Sequence, residues 1–204
     1  IGVFDTFEQA VKSCYELADD GLCPESLMLE DSLRFLLEGL APHMDIDSSK
    51  VKMLQLDKRE AVVIASYSGR DEIIKTSIDI TKQVMASNGA TVVNDKSVID
   101  AYWKSKTELP SWSKEMPEMK VHSFCPAIPL NIAPDFNRQY NKLVTELKLS
   151  KGGARYYVIF PLMECMVSPT AVFNDFEPES VRAYEEFTRR FAEYVNSVGG
   201  APAA

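Results

Sequence analysis

Cysteine and histidine are the residue types best suited to metal binding or nucleophilic chemistry, and both are sparse in this chain. The four cysteines lie far apart, at Cys14, Cys23, Cys125 and Cys165. No two of them have Cys-x-x-Cys spacing, and the two histidines, His43 and His122, complete no Cys/His zinc pattern. We therefore predict that no metal is bound and that the thiols are reduced, because a chain with a sizeable core rarely needs disulfides.

Cys125 is the cysteine placed best for thiol catalysis, but its neighbours do not favour it. A nucleophilic thiol needs a nearby base or cation that lowers its pKa. His122 precedes Cys125 by three residues, and on a strand that spacing puts the two side chains on opposite faces. We interpret Cys125 as a small buried apolar residue, with a catalytic thiol as the alternative. The sequence has no glycine-rich phosphate loop, no paired catalytic carboxylates and no Ser-His-Asp set.

The chain is acidic, with 30 Asp and Glu against 22 Lys and Arg and a formal net charge of −8. Such a chain repels nucleic-acid phosphates and anionic lipid headgroups, so we predict neither nucleic acid nor membrane as a partner. No apolar run approaches the roughly 20 residues that span a bilayer, and no signal-peptide pattern is visible. With 46% hydrophobic residues, the composition is typical of a globular domain, and we predict a cytoplasmic location.

The spacing of apolar residues predicts helices at both ends of the chain. Asp5 and Glu8 have capping-box spacing, and the stripe that follows is Phe7, Ala10, Val11, Cys14 and Ala18. Five leucines in residues 29–40 predict a second helix. The last helix begins at residues 177–178, and its stripe is Val181, Tyr184, Phe187, Phe191, Val195 and Val198.

The middle of the chain is rich in strand patterns. Residues 51–56 and 61–65 flank a polar turn and predict an antiparallel hairpin. Residues 73–80 alternate as a short strand does, and residues 91–93, 121–130 and 156–162 predict further strands. Short helices are expected at residues 82–87 and 97–104, and residues 134–147 fit a helix, although their end also alternates like a strand. We expect residues 106–118, with two prolines, to form a loop.

Several short phrases occur in a fixed order along the chain. They are residues 54–57, 63–69, 88–89, 91–95, 123 with 127–130, 157–160 and 173–175. In this order they resemble the GAF domain, a sensory module with helices on both sides of an antiparallel sheet. The resemblance predicts an α+β fold of GAF type, with a sheet of five or six strands flanked by helices.

The resemblance also divides the chain. Residues 1–26 are predicted to form a leading helix for dimerisation or linkage, residues 27–198 the GAF-like domain, and residues 199–204 a disordered tail. Residues 131–153 form an insertion where this family has a short turn.

In a GAF domain the ligand lies between the sheet and two short helices. The matching positions in this chain are Tyr67, Val93, Asn94, Asp95, Tyr102, Ser123, Phe124 and Cys125. For Asp95 we favour a second interpretation, as the residue that caps the helix beginning at residue 96 or 97. The resemblance leaves the ligand and any cofactor unspecified.

The function predicted by this resemblance is a non-catalytic sensory or regulatory domain that binds a small molecule. One alternative is an enzyme, a thiol-dependent methionine sulfoxide reductase of the same fold. Another is a protein-interaction module with a vestigial pocket. The cyclic-nucleotide motif of the family is mostly absent, since Met163 and Glu164 replace its Asn-Lys pair.

Both terminal helices carry apolar stripes, and the leading stripe lies outside the region of resemblance. Exposed apolar patches usually mark an interface. We therefore predict a homodimer through the terminal helices, with a monomer whose leading helix folds back onto its own sheet as the alternative.

Overall fold

The computed structural model describes residues 1–107, 119–122, 125–160 and 162–201. Its strands are Gly2–Phe4 (β1), Ser26–Asp31 (β2), Ala61–Ser66 (β3), Thr91–Val92 (β4), Met119–His122 (β5), Ala127–Pro129 (β6), Ser150–Ile159 (β7) and Glu164–Asn174 (β8). Its α-helices are Phe7–Asp19 (α1), Ser32–Arg34 (α2), Ser49–Met53 (α3), Asp71–Ser87 (α4), Lys96–Ser105 (α5), Ala133–Glu146 (α6) and Pro178–Ser197 (α7). A π-helical segment, Phe35–Leu40, continues α2, and a 3-10 turn, Leu130–Ile132, precedes α6.

The strands form one antiparallel sheet. In the described ranges its order is β4-β1-β3-β2-β7-β8-β5, and β6 also pairs with β8. β2 lies at the middle, paired with β3 on one side and with β7 on the other. The predicted α+β class is confirmed, but the sheet has eight strands rather than five or six.

Helices α1, α6 and α7 cover one face of the sheet, together with the end of α4. Each helix presents one apolar stripe to the strands, because its apolar residues recur every three or four positions. The ring of Phe136 on α6 lies 5.8 Å from the ring of Tyr156 on β7 and 4.6 Å from the ring of Phe191 on α7. These buried rings join both helices to the sheet in the larger hydrophobic core.

The second face carries a smaller core over β1, β3 and β2. Val62 and Ile64 of β3 are buried there beneath the π-helical segment, α3 and α5. Phe35 stacks on Tyr102 of α5, with ring centroids 5.3 Å apart. Over β7 and β8 the same face leaves large side chains exposed.

Three predicted elements are wrong. Residues 51–56 are not a strand, because Ser48 caps a helix there by accepting from the backbone N of Val51 at 3.3 Å. The predicted leucine helix is wrong at its start, which is β2 in the hairpin position beside β3, whereas residues 32–40 are helical. Residues 73–80 lie within α4, where Ile73 is 61% exposed, so the alternation does not mark a buried strand face.

Other predicted elements are confirmed within one or two residues at their ends. They are the strands at residues 61–65 and 91–93 and the helices at residues 97–104, 134–147 and from 178 onward. The strand predicted at residues 121–130 contains parts of two shorter strands, β5 and β6, and the strand predicted at residues 156–162 overlaps the end of β7. Most of the loop predicted at residues 106–118 lies outside the described residues.

The apolar stripe of α1 is buried within its own chain. Phe7, Val11 and Cys14 belong to the larger core, and the Phe7 ring meets Tyr156 edge-on at 5.6 Å. The predicted homodimer through the terminal helices is therefore wrong, because it required this stripe to lie outside the domain core.

The C-terminal end is attached to the sheet through Ala201. Ala201 and Ala127 exchange two backbone hydrogen bonds of 2.9 Å. Residues 202–204 of the predicted tail lie outside the described residues, and the predicted boundaries at residues 26 and 198 stay predictions. None of the helices in the described ranges combines the length and apolar character needed to cross a bilayer.

Candidate functional site

The structure brings together three of the residues predicted to bind a ligand. Tyr67, Val93 and Asn94 line a cavity of about 350 Å³ between α4 and α5. Tyr102 lies on α5 but is turned into the smaller core, where its hydroxyl contacts Glu30 of β2. The predicted set is therefore divided between this cavity at the end of β3 and the smaller core.

Cys125 is half-buried and lies just before β6, away from both of these places. The neighbouring predicted residues, Ser123 and Phe124, lie outside the described residues. In the described ranges no group of three or more His, Cys, Asp or Glu is arranged to hold a metal ion.

Asp95 is the N-cap of α5. Its carboxylate accepts from the backbone N of Ser97 at 2.8 Å and from the Ser97 hydroxyl at 2.6 Å. Lys50 Nζ lies 3.1 Å from the same carboxylate. The Ser97 hydroxyl, and then Lys50, lower the pKa of Asp95 to about 2. The capping interpretation is confirmed, and a role for Asp95 in ligand binding stays a prediction.

A buried ionic cluster centres on Glu30, which has no exposed side-chain surface. Glu30 lies directly across from Arg155 in the β2–β7 ladder, so both side chains leave the sheet on the second face. Glu30 Oε1 accepts three hydrogen bonds. The donors are Arg155 Nε at 2.5 Å, Tyr102 Oη at 2.8 Å and Lys106 Nζ at 3.3 Å. The sequence thus places three donors on one carboxylate oxygen.

The cluster continues into the turn after β2. Arg34 Nε lies 2.7 Å from Glu38, which is 3.9 Å from Arg155. Arg34 also donates to the hydroxyl of Thr170 on β8. This approach depends on Gly153, whose φ is +80° and where a Cβ would lie 2.7 Å from the backbone N of Arg34. A glycine in the β7 bulge therefore lets α2 reach the sheet.

The charges that the described residues bring to this cluster do not balance. Within the described ranges, two carboxylates, Glu30 and Glu38, face three cations, Arg34, Lys106 and Arg155, which leaves one excess positive charge when all five are ionised. Burial lowers the pKa of Lys106 to about 8, although Glu30 opposes that shift. Burial also raises the pKa of Glu38, although Arg34 and Arg155 oppose that shift.

The exposed part of the second face begins beside Arg155. We call it the open face and define it by Tyr157 and Ile159 of β7 and Met166 of β8. These side chains are 42%, 38% and 45% exposed, and Tyr157 lies directly across from Met166 in the β7–β8 ladder. Arg155 Nη1 is 3.4 Å from the Tyr157 hydroxyl, so the ionic cluster and the open face are continuous.

Comparison with known proteins identifies the family of this sheet. The family model for the C-terminal domain of FAD linked oxidases matches residues 2–204. The chain belongs to this family. A search of curated proteins gave no match for this FAD-oxidase C-terminal domain.

Solved structures share its fold. An alkyldihydroxyacetonephosphate synthase superposes with a TM-score of 0.73 at 15% identity, covering 98% of this chain and 39% of the synthase. The 4-ethylphenol oxidase from Gulosibacter chungangensis, in complex with isoeugenol, gives a TM-score of 0.70 at 11% identity and covers 99% of this chain and 45% of the oxidase. The chain thus spans less than half the length of these two proteins.

The GAF resemblance is wrong. The predictions that rested on it are therefore wrong as well. They are the non-catalytic sensory function, the small-molecule signal, and the two alternatives of the same fold, a sulfoxide reductase and an interaction module. Both folds place helices around an antiparallel sheet, so short strand phrases fit either one. The strand order of this chain depends on pairings between distant residues, which short local phrases do not report.

The ionic cluster was missed by the sequence reasoning. Its two central residues are charged positions next to apolar or aromatic ones within strands, Glu30 after Leu29 and Arg155 before Tyr156. A charged residue inside an apolar strand is the available signal, because such a group is rarely buried without a partner. The identity of the partner was not available from local patterns, since Glu30 and Arg155 are 125 residues apart.

Proposed function

We propose that this domain covers the substrate side of the flavin in an FAD-linked oxidoreductase and orients an anionic substrate there. The observation that supports this best is the position of the open face, an exposed apolar surface directly beside a buried cluster with one excess positive charge. Membership of the FAD-oxidase family supplies the class of reaction.

The open face fits the ring end of FAD better than its phosphate end. Tyr157, Ile159 and Met166 offer a flat apolar surface of the kind that a planar ring system covers. A phosphate is favoured at a helix N-terminus that is free of negative charge. Helix α4 follows Gly69 but begins with Asp71 and Glu72, which repel phosphate. We therefore assign the ring to these three side chains and the pyrophosphate to protein outside this domain.

Arg155 is the residue we assign to the anionic group of the substrate. Its Nε is held by Glu30, and its Nη1 reaches Tyr157 on the open face. A guanidinium fixed in this way presents its remaining N–H groups without losing side-chain freedom on binding. The excess positive charge of the cluster favours a carboxylate or phosphate over a neutral group.

The other residues of the site act on water and on protons. A ring bound over Ile159 and Met166 would exclude water from this part of the sheet, which would strengthen the attraction between Arg155 and an anion. Burial, and then the negative charge of Glu30, raise the pKa of Tyr102, so its phenol stays protonated and keeps donating to Glu30. A bound flavin would supply the two-electron acceptor for oxidation of the substrate.

The test uses the flavin-loaded protein that contains this domain, with benzoate and benzamide as a pair of probes that differ in charge. Binding is measured from the shift in the visible absorption spectrum of the flavin. Benzoate is expected to bind at least about tenfold more tightly than benzamide, since a hydrogen-bonded charge contributes about 1.5–3 kcal/mol. Arg155→Met is expected to remove this preference, whereas Arg155→Lys keeps part of it.

Two variants make the result specific to the open face. Met166→Gln is expected to weaken the binding of both probes, and Met53→Gln, an exposed methionine on α3, to leave it unchanged. Thermal unfolding shows whether Arg155→Met retains the fold. Equal binding of benzoate and benzamide by the wild type, or an intact preference in folded Arg155→Met, would contradict the proposal.

A further inference from the structure

The cavity between α4 and α5 has walls that neither hydrophobic core uses. Ile78 and Lys82 are four residues apart on α4, and Ile99 and Trp103 are four residues apart on α5. Helical spacing puts each pair on one face of its helix. We call this space the α4–α5 cavity, and its floor is the end of β3 at Ile64, Ala65 and Ser66.

Its size and lining are those of a small-molecule site. The volume is about 350 Å³, near the lower end of the roughly 300–1,000 Å³ typical of ligand pockets. Ile78 and Trp103 remain 37% and 40% exposed, although both are large apolar side chains. A ligand with an apolar body would remove this surface from water.

Few polar groups face the cavity, and one of them is fixed in place. The Tyr67 hydroxyl lies 2.6 Å from the hydroxyl of Thr81, which is buried in α4. Burial raises the pKa of Tyr67, so its phenol stays protonated. Of the two hydroxyl protons of Tyr67 and Thr81, one is used in the bond between them and the other remains available to a ligand. This bond fixes the Tyr67 hydroxyl at Thr81, the residue before Lys82 on α4.

Two cationic groups line the cavity, Lys82 and the α-amino group of Ile1. Burial, and then Lys82, lower the pKa of the Ile1 α-amino group to about 6, so the charge at neutral pH is mainly that of Lys82. Lys82 is half-buried and has no ion-pair partner in the described ranges, and no acidic side chain is among the described residues that line the cavity. We propose that the α4–α5 cavity binds a small anion with an aromatic or branched apolar body, whose carboxylate or sulfonate pairs with Lys82.

This site is separate from the open face. Tyr102 and Trp103 are neighbours on α5 but point to different places, Tyr102 to Glu30 and Trp103 to the cavity. The cavity therefore adds a second ligand site to the domain, and the proposal does not depend on the flavin.

The experiment is isothermal titration calorimetry of the 204-residue chain with 2-naphthoate and 2-naphthamide. The two probes have the same ring and differ in charge. The wild type is expected to bind 2-naphthoate about tenfold more tightly, because one charge-assisted contact contributes about 1.4 kcal/mol. Lys82→Gln is expected to abolish this preference, and Lys75→Gln, on the exposed side of α4, to preserve it.

Two further variants locate the binding. Ile78→Asn changes a partly exposed wall residue and is expected to weaken the binding of both probes about fivefold or more. Met166→Gln, on the open face, is expected to leave the binding of both probes unchanged. The proposal is overturned if no heat of binding is seen at millimolar probe, if the two probes bind equally, if Lys82→Gln keeps the preference, or if Met166→Gln is the variant that weakens binding.

Discussion

Glu30 is a fully buried carboxylate whose three donors all reach the same oxygen, Oε1. Its Oε2 has no hydrogen-bond partner in the described ranges. Removing one partner of such a group leaves an uncompensated buried charge, which typically costs about 3–5 kcal/mol. Lys106 is the most exposed of the three donors and the one whose charge the protein environment disfavours.

The first prediction concerns the pH dependence that Lys106 imposes. Its pKa is about 8 in the folded chain, against an ordinary value of 10.5. Between these two pH values the unfolded chain retains a proton that the folded chain has lost, so stability rises with pH. The free energy of unfolding of the wild type, relative to Lys106→Met, is expected to increase by up to about 3 kcal/mol from pH 8 to pH 10.5.

Urea unfolding at a series of pH values measures this difference. Lys75→Met serves as the control, since Lys75 is exposed. A plot of its free energy of unfolding against pH is expected to run parallel to that of the wild type. A parallel curve for Lys106→Met would show that burial of this ammonium does not affect stability.

Among the secondary-structure elements, the contact between helix α2 and the bulge of β7 depends on Gly153. Two glycines with similar positive φ allow a matched test, Gly153 at +80° and Gly21 at +71°. Alanine at either position incurs about 1–2 kcal/mol of backbone strain. Only at Gly153 does the new Cβ also meet the backbone of Arg34, whereas at Gly21 nothing lies within 4 Å.

Gly153→Ala is therefore expected to lose about 1–3 kcal/mol more stability than Gly21→Ala, as overpacking against backbone does. Thermal or urea unfolding of the two variants gives the comparison. Equal losses would mean that α2 moves away from the sheet without cost.

Elements with a complete local signal were predictable from the sequence. Helix α7 has a single long apolar stripe, and β3 is an uninterrupted apolar strand, so both were placed correctly. β2 was misplaced because its leucines also fit a helical period, and the choice is made by pairing with β7 more than 120 residues away. The open face and the ionic cluster depend on that same long-range pairing.

At the scale of the whole molecule, the first and last described segments are both attached to the same sheet. Phe7 packs against Tyr156 across the sheet, and Ala201 bonds to Ala127 at β6. Strand β1 has only three residues and gave no periodic signal, yet it joins β3 to β4 in the sheet.

Phe7→Ala is expected to destabilise the protein by about 3–5 kcal/mol, the usual cost of removing a buried aromatic ring. Phe176→Ala is the matched control, because Phe176 is 78% exposed and its loss is expected to stay within about 0.5 kcal/mol. Chemical denaturation measures both. A small loss for Phe7→Ala would mean that α1 contributes little to the core.

The distance along the chain between β2 and β7 also has a consequence during synthesis. β2 leaves the ribosome long before β7, and until then it is an edge strand that can pair with other chains. Its apolar run, Leu27, Met28 and Leu29, is followed by two carboxylates, Glu30 and Asp31. Charges beside an apolar strand oppose aggregation. The carboxylate that anchors Arg155 in the folded chain is thus also placed where it would oppose aggregation of the nascent chain.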